Sequence, residues 1–154
     1  MAVHFHILKV KEVRKETPDC VSVLFDIPDD CKEDFTFEQG QNITIKKEID
    51  GEEIRRSYSI CSAPFENELR VAIKNVEGGK FSGFANAVLQ ACDELEVLPP
   101  TGKFNTALKA DNKKQYLAFA AGSGITPVIS IIKTTLQTEP GSNFTLVFGN
   151  RGRH

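Results

Sequence analysis

Apolar residues recur at every second position along three short runs of the chain, residues 21–27, 43–45 and 69–73. Polar residues alternate with them, and turn-forming residues separate the runs. This period of two is typical of β-strands that have one buried face and one polar face. The first hundred residues or so therefore predict a β-barrel or a β-sandwich.

Two local signals refine this prediction. Asp50-Gly51 lies between residues 43–48 and 53–60, and glycine accepts the positive φ that a tight hairpin turn requires. Over residues 82–91 the apolar period changes to three and four residues, which predicts an amphipathic helix. We therefore expect residues 1–108 to form an antiparallel, Greek-key-like β-barrel with one inserted helix.

The pattern changes again after a polar stretch at residues 109–114. An unbroken apolar run at 116–121 is typical of a parallel strand covered on both faces, and a glycine-rich turn, a helix over 126–138 and a strand over 144–148 follow it. We interpret residues 109–154 as the start of an α/β nucleotide-binding domain. A further strand and helix normally cover its faces, so we expect a truncated domain whose faces a dimer or a segment swap would hide.

Composition excludes several classes of protein. The 154 residues carry 19 Lys and Arg against 21 Asp and Glu, a net charge of −2, so no general positive field attracts nucleic acid or an anionic membrane. The chain also lacks the run of about 18 apolar residues that a membrane span requires. We expect a cytoplasmic protein with no nucleic-acid and no membrane partner.

Cysteine and histidine spacing predicts no metal site. His4 and His6 lie two residues apart, but no carboxylate or cysteine at ligand spacing accompanies them. The four cysteines are widely separated, without a Cys-x-x-Cys pair, and we expect free thiols at Cys20, Cys31, Cys61 and Cys92.

The segment Arg56-Ser57-Tyr58-Ser59-Ile60 carries the first candidate site. Residues two apart in a strand share a face at about 6.5–7 Å, so Arg56 and Tyr58 are expected on one face. Ser57 and Ser59 are then expected on the other. A guanidinium beside a flat ring suits a planar ligand that bears phosphate. An Arg and a Tyr on a solvated strand face would explain the segment equally well.

The segment Gly78-Gly79-Lys80-Phe81-Ser82 precedes the predicted helix. Two glycines allow a ligand to approach the backbone closely, and the free N–H groups of a helix start attract anions. Ser82, expected at the helix cap, could donate its hydroxyl. The alternative is an ordinary helix cap without a ligand.

The turn Gly122-Ser123-Gly124-Ile125-Thr126-Pro127 joins a predicted strand to a predicted helix. It is not the Gly-x-Gly-x-x-Gly fingerprint, because Pro127 takes the place of the third glycine, and it is not a P-loop. A glycine-rich turn from a strand into a helix is nevertheless where the pyrophosphate of a dinucleotide binds. We interpret it as a phosphate site, with a plain tight turn as the alternative.

In this order and setting, the three segments resemble the ferredoxin–NADP reductase superfamily of flavoprotein reductases. Arg56-Ser57-Tyr58-Ser59 is similar to the family's Arg-x-Tyr-Ser flavin motif, residues 79–82 to its phosphate-binding helix start, and residues 122–127 to its nicotinamide-nucleotide turn. Residues 100–104 resemble its barrel exit, and residues 148–151 the end of the following strand. The resemblance covers nearly the whole chain and is nearest to the reductase components of bacterial aromatic-ring oxygenases, those of the phenylacetyl-CoA oxygenases in particular.

The resemblance implies a role for each matched residue. Tyr58 would stack on the isoalloxazine of FAD and Arg56 would hold the diphosphate. Ser59 would lie near flavin N5, a contact that requires strand twist or a path through the backbone, because strand alternation places Ser59 opposite Tyr58. Thr126 would sit between flavin and nicotinamide, completing a catalytic set with Tyr58 and Ser59. The other cofactor-binding residues implied are Ser57, Ala72, Ile73, Lys74, Gly79, Lys80, Phe81, Ser82, Gly122 and Gly124.

The implied reaction passes a hydride from NADH or NADPH to the flavin, which then releases single electrons to a [2Fe-2S] ferredoxin domain or oxygenase component. The cysteines of this chain cannot build that cluster, so the resemblance implies that it lies in a further segment or a partner. We expect the chain by itself to bind FAD but to transfer hydride poorly, because the rest of the nucleotide domain would follow residue 154.

Two alternatives stay open from the sequence. The helix start at residues 78–82 supplies a second phosphate site and so favours FAD, but some relatives with a similar Arg-x-Tyr-Ser motif use FMN. From the residues alone, a non-catalytic β-barrel module that binds a ligand or a protein is the other interpretation.

Overall fold

The computed structural model of the protein describes residues 3–152. Six strands form its larger layer: β1 (His6–Thr17), β2 (Cys20–Asp26), β3 (Asn42–Ile49), β4 (Glu52–Ser59), β5 (Leu69–Lys74) and β6 (Glu94–Val97). They pair in the order β4-β3-β6-β1-β2-β5, with every neighbour antiparallel. A bridge between Ile60 and Val71 brings the two ends of this sheet together. The predicted antiparallel barrel is confirmed.

Alternating apolar residues of the strands fill the barrel. Helix α1 (Lys80–Ala87) packs against this core, with Phe81 and Ala85 each only 1% exposed. Other side chains with no exposed surface in the core are Leu8, Val23, Ile43, Ile45, Ile60, Val71, Ile73 and Val97.

The predicted hairpin turn is present between β3 and β4. Ile49 pairs with Glu52, and the two residues between them, Asp50 and Gly51, have φ of 52° and 75°. Two consecutive positive φ values define the tight turn whose twist matches antiparallel strands. The Asp-Gly signal was therefore sufficient to predict the pairing of the two strands.

Strand β2 departs from the predicted half-buried pattern. Val21, Val23 and Phe25 face the core as expected, but Ser22 and Leu24 on the other face are buried as well. Arg70 on β5 lies opposite Leu24, and its Nη1 donates a hydrogen bond to Ser22 Oγ at 2.9 Å. The prediction was wrong because the side chain of Arg70, on the neighbouring strand β5 but 48 residues away in sequence, covers the outer face.

The inserted helix lies earlier than predicted. It begins at Lys80 rather than Ser82 and ends at Ala87 rather than Ala91. The N–H groups of Val88 and Leu89 both donate to the carbonyl of Phe84, which unwinds the last turn. Leu89 is thereby buried, whereas Val88, predicted on the apolar face, is 62% exposed.

A smaller parallel layer follows the barrel. Strand β7 (Gln115–Ala121), helix α2 (Ile125–Thr138) and strand β8 (Asn143–Gly149) form a β-α-β unit, and β7 pairs with β8 in parallel. This confirms the predicted start of an α/β nucleotide-binding domain. The boundary between residues 108 and 109 stays a prediction.

Among the described residues, β7 is covered on one face only, which agrees with the expectation of an incomplete domain. Leu117 and Phe119 on β7 are 60% and 72% exposed, and Val147, which pairs with Phe119, is 49% exposed. Helix α2 lies against the opposite side of the two strands, where Tyr116 stacks on Phe144 with ring centroids 5.5 Å apart. One apolar sheet face is therefore open to solvent.

A buried carboxylate that the sequence analysis missed connects this layer to the segment before it. Glu139, just after α2, has no exposed surface. Its carboxylate accepts hydrogen bonds from Lys109 N (3.1 Å), Asn112 Nδ2 (2.6 Å) and Tyr116 Oη (2.8 Å). Ser142 Oγ donates a further bond at 2.8 Å. The polar stretch at 109–114 is thus held by one side chain.

The cysteines and the helix lengths were also predicted from the sequence. The four cysteines are free thiols. Helix α2, at 14 residues, is too short to cross a bilayer, and no other helix within residues 3–152 is long and apolar enough to do so.

Candidate functional site

A cavity of about 550 Å³ opens where the barrel meets the β-α-β unit. Four segments that are distant in sequence line it: the end of β4, the end of β5, the start of α1 and the turn before α2. The lining residues are Arg56, Ser57, Tyr58, Ser59, Ala72, Lys74, Val76, Gly79, Phe81, Ser82, Ser123, Gly124, Thr126 and Pro127. Residues from all three predicted motifs therefore share one cavity.

The cavity lies at the seam of the barrel. Strands β4 and β5 are the two ends of the sheet, and the chain just beyond β4 joins them through the Ile60–Val71 bridge and a 2.9 Å bond from Cys61 N to the Arg70 carbonyl. The bridge is isolated, and Ser59 and Ala72, the next residues on either strand, both line the cavity. The cavity therefore opens where the two strands separate.

Tyr58 presents a half-buried ring to this space. Its ring centroid lies 5.9 Å from that of Phe81, with the planes inclined by 39°. Burial raises the pKa of the Tyr58 phenol, although the nearby Arg56 charge acts in the opposite direction. The phenol is therefore neutral at physiological pH and offers a flat, uncharged stacking surface.

All four residues of the Arg56–Ser59 motif border the cavity, although alternation places them on two faces. The reason is that β4 is an end strand, so a cavity along its unpaired edge meets side chains from both faces. Arg56 is exposed, with Nη1 donating to the Arg55 carbonyl at 2.7 Å. Ser57 Oγ lies 2.9 Å from Thr44 Oγ1.

The start of α1 contributes uncapped backbone donors. Gly79 is the N-cap residue and makes no side-chain cap hydrogen bond, so the N–H groups of the first turn have no partner within the helix. Ser82 is not the cap, contrary to the prediction. It lies in the first turn, and its hydroxyl accepts a 3.1 Å bond from Val76 N. The hydroxyl therefore fixes the loop before the helix.

Gly79 is required for this arrangement. A Cβ there would lie 2.3 Å from Ser82 Oγ and 3.0 Å from the Val76 carbonyl oxygen. Such distances exclude a side chain unless the Ser82–Val76 contact breaks. The close fit gives the Gly-Gly signal of the sequence a physical basis.

Three predicted residues do not line this cavity. Ile73 is fully buried in the core, and its carbonyl accepts a 3.0 Å bond from Asn86 Nδ2. Lys80 is the first residue of α1, but its ammonium pairs with the Glu52 carboxylate and does not border the cavity. Gly122 lines a neighbouring cavity instead.

That second cavity, of about 270 Å³, lies on the other side of the turn before α2. It shares four lining residues with the first cavity: Ala72, Lys74, Ser123 and Thr126. Thr126 Oγ1 donates to the Ser123 carbonyl at 2.9 Å, which holds the turn in shape. Thr126 therefore stands at the wall between two spaces that could each receive part of a ligand.

Sequence reasoning missed some of the lining. Val76, Ser123 and Pro127 border the first cavity without having been assigned a role. Ser123 and Pro127 belong to a turn that was recognised, but Val76 lies in a loop with no motif of its own. Its position before Gly78-Gly79 was the only available signal.

The donor set fits a dinucleotide rather than a metal. The first cavity combines the cations of Arg56 and Lys74, the Tyr58 ring and a helix start with free N–H groups. These suit phosphate oxygens and a flat ring system. The rings of His4 and His6 stack at 4.8 Å, and residues 3–152 hold no group of three or more His, Cys, Asp or Glu side chains placed to bind a metal.

Comparison with known proteins gives the same assignment. Residues 7–106 match the family described as an oxidoreductase FAD-binding domain, and residues 119–154 match an oxidoreductase NAD-binding domain. One of the subunits of 1,2-phenylacetyl-CoA epoxidase from Escherichia coli (strain K12) is 48% identical over 147 residues, 96% of this chain and 41% of that protein. The ferredoxin reductase component of 3-ketosteroid-9-alpha-monooxygenase from Rhodococcus rhodochrous is 39% identical over 94% of this chain and 41% of its own.

Solved structures share the whole arrangement. Phthalate dioxygenase reductase, described as a modular structure for electron transfer from pyridine nucleotides to [2Fe-2S], superimposes with a TM-score of 0.76 at 28% identity, over 96% of this chain and 44% of that one. The chain spans about two fifths of the length of the curated relatives cited above. From the FAD-binding match over most of its length, the chain belongs to the ferredoxin–NADP reductase superfamily of flavoprotein oxidoreductases.

Proposed function

We propose that this chain is the FAD-binding part, and the beginning of the nicotinamide-binding part, of an NAD(P)H-dependent reductase that supplies electrons to an oxygenase. The observation that carries the proposal is the single cavity in which the Arg56–Ser59 motif, the uncapped start of α1 and the turn before α2 meet. Each of these three segments suits a different portion of the two nucleotides.

The barrel side of the cavity binds FAD. Tyr58 stacks on the isoalloxazine, and Arg56 forks onto the diphosphate oxygens. The backbone N–H groups of Lys80, Phe81 and Ser82 receive phosphate at the helix start, where Gly79 permits close approach. Their free donors and the positive end of α1 support this assignment.

Strand β5 follows the ribityl chain. Ala72 and Lys74 line the cavity and offer backbone groups along the edge of the barrel, with Ile73 between them anchored in the core. Ser57 and Ser59 border the same edge from β4. Ser59 lies nearest the reactive end of the flavin, close to N5.

The turn before α2 receives the nicotinamide nucleotide. Gly122 and Gly124 supply close backbone approach, and Thr126 stands between the flavin and nicotinamide spaces. When bound, FAD accepts a hydride from NADH or NADPH and releases single electrons to a [2Fe-2S] acceptor. This chain orients the two nucleotides and excludes water between them.

The oxygenase partner is inferred from the relatives. The Escherichia coli relative belongs to an epoxidase of phenylacetyl-CoA, which supports a role in phenylacetate degradation in the cytoplasm. The [2Fe-2S] group belongs to a segment or partner outside the 154 residues. We place the domain division at 1–108 and 109–154.

The open face of β7 and β8 is the basis of a second part of the proposal. Leu117, Phe119 and Val147 would associate with a second copy of the chain, by docking or by a segment swap. Sedimentation equilibrium of the purified chain measures this, and the double change Phe119→Ser, Val147→Ser should give a monomer. A monomer before the change would contradict association.

The experiment that tests cofactor binding is a visible spectrum of the purified chain after addition of FAD and removal of free flavin. Retained absorbance that is lost in an Arg56→Ala, Tyr58→Ala double variant of unchanged far-ultraviolet circular dichroism supports the proposal. An unmodified chain that retains no flavin would favour the alternative, a non-catalytic ligand- or protein-binding barrel. Parallel titration with FMN decides between the two flavins, and steady NADH oxidation at the rate of an intact reductase would contradict poor transfer by this chain.

A further inference from the structure

A buried hydrogen bond joins α2 to the chain that follows β4. Ser130 has no exposed surface, and its hydroxyl donates to the backbone carbonyl of Ser62 at 2.7 Å. The two residues are 68 positions apart in sequence. A polar contact of this kind in a dry interface fixes the two segments relative to each other, because an unpaired hydroxyl or carbonyl there would be costly.

Each residue of this bond lies within four positions of a residue that lines the cavity. Ser130 is four residues after Thr126, so the two lie on the same face of α2, separated by about 6 Å along the helix axis. Ser62 is three residues after Ser59, at the end of the segment that closes the barrel seam. The bond therefore links the helix that carries Thr126 to the segment that follows Ser59.

Ser62 is itself held rigidly. Its hydroxyl donates to the Glu68 carbonyl at 2.6 Å and accepts from Arg70 N at 3.1 Å. Arg70 begins the part of β5 that continues to Ala72 and Lys74 in the cavity wall. A displacement of α2 at Ser130 would therefore move the helix relative to both β4 and β5.

A second contact lies one turn further along α2. Lys133 Nζ is 3.0 and 3.2 Å from the two carboxylate oxygens of Glu66, which also accepts from Ala63 N at 2.6 Å. Lys133 is 40% exposed, so this ion pair is weaker than the buried bond. It acts on the same turn, Pro64–Glu66, that follows Ser62.

We propose that the Ser130–Ser62 hydrogen bond sets the separation of Thr126 from the flavin side of the cavity, which makes Ser130 a positioning residue for hydride transfer. This inference rests on the proposed function. The hydride leaves the nicotinamide with both electrons and enters the flavin, so the rate depends on the distance between the two rings. Ser130 touches neither nucleotide and acts only through the placement of the turn before α2.

The test compares Ser130→Ala with Thr134→Ala. Thr134 is a matched control because its hydroxyl is also buried but donates to the Ser130 carbonyl within the helix, at 2.7 Å. In the FAD-loaded chain, Ser130→Ala should slow flavin bleaching by saturating NADH under anaerobic conditions about tenfold. The dissociation constant for FAD should change less than about threefold, since the proposed stacking and phosphate contacts lie on the barrel. Thr134→Ala should leave the bleaching rate within about twofold.

Hydrogen exchange gives a readout that does not require turnover. Loss of the Ser130 bond should increase amide exchange about tenfold over residues 122–129, which comprise the turn before α2 and the beginning of α2. Thr134→Ala should affect only residues beyond 130. Equal effects of the two variants on both exchange and bleaching would overturn the proposal, since they would show that Ser130 contributes only to stability.

Lys133→Met covers the case in which Ser130→Ala does not fold. It weakens the same junction at a partly exposed position and should slow bleaching about twofold, with less effect at high salt. No change in bleaching or in exchange over residues 122–129 would then reject the inference. A failure of the unmodified chain to retain FAD would contradict the proposed function instead, and the exchange result would still decide whether Ser130 holds α2.

Discussion

The ring centroids of Tyr58 and Phe81 lie 5.9 Å apart, and this pair joins β4 to the start of α1 on the barrel side of the cavity. Phe81 is 1% exposed and belongs to the barrel core, yet it is also the second residue of α1. The ring that we propose stacks on the flavin and the helix start that we propose binds phosphate are therefore packed against each other. A substitution at either residue should therefore displace the other.

Tyr58→Ala should weaken FAD binding by about three- to tenfold, since it removes a stacking contact of about 0.5–1.5 kcal/mol. Tyr58→Phe keeps the ring and should bind FAD within about twofold of the unmodified chain. Flavin fluorescence titration measures both affinities. Equal weakening by the two substitutions would show that the hydroxyl, and not the ring, makes the contact.

Arg56 should matter through geometry as well as charge. Arg56→Lys keeps the positive charge but cannot fork onto two phosphate oxygens, so it should lose nearly as much FAD affinity as Arg56→Ala, about tenfold. Titrations at low and high salt measure this. Arg55→Lys is the matched control, because Arg55 lies next to Arg56 but pairs with Glu53. Full rescue of affinity by Lys at position 56 would contradict bidentate binding.

Gly79→Ala and Gly83→Ala should have opposite effects, although both place a methyl group on or beside α1. The new Cβ at 79 meets Ser82 Oγ at 2.3 Å, so it should break the Ser82–Val76 contact and lower both FAD affinity and the free energy of unfolding, the latter by about 1–3 kcal/mol. No atom lies within 4 Å of a Cβ at 83, so alanine there should stabilise the helix by about 0.5–1 kcal/mol. Urea unfolding and FAD titration of both variants measure the difference, and a destabilised Gly83→Ala would show that the helix is not formed as described.

Glu139 should make the chain sensitive to acid. Burial raises the pKa of its carboxyl, but the hydrogen bonds from Asn112, Ser142 and Tyr116 outweigh this and hold the pKa at about 2. Because the folded pKa is below the ordinary value of 4.5, the carboxylate stabilises the fold above pH 4.5 and loses that contribution as the pH falls towards 2. Urea unfolding between pH 7 and pH 3 measures the effect.

Glu139→Gln should lower stability at pH 7 and flatten its dependence on pH in this acid range. Glu77→Gln, which changes an exposed side chain, is the control and should do neither. A Glu139→Gln chain as steep in acid as the unmodified protein would assign the pH dependence to other carboxylates.

Short-range signals predicted much of the fold. Alternation predicted β2, β3 and β5, and Asp50-Gly51 predicted the hairpin of β3 and β4 because the turn is decided by two residues. The failures came from contacts between distant segments. The periodic pattern could not show that Arg70 covers the outer face of β2, or that Glu139 binds residues 109–116 from the far end of α2.

The candidate site follows the same division. Motif positions predicted most of the lining, but they could not separate residues that face the cavity from those that only lie beside it. Ile73 is directed into the core by strand alternation, and Lys80 is drawn to Glu52 across a gap of 28 residues. Val76 lies in a loop held by hydrogen bonds that its N–H donates to Ser82 Oγ and its carbonyl accepts from Gly79 N.

The position of the cavity on the seam between β4 and β5 affects the tendency of the chain to aggregate. Both are end strands with one edge unpaired beyond the Ile60–Val71 bridge, and exposed strand edges invite pairing with other chains. A nucleotide bound along the seam, as we propose, would cover both edges at once. The surface that we propose for flavin binding would thus, once occupied, also protect the chain from aggregation.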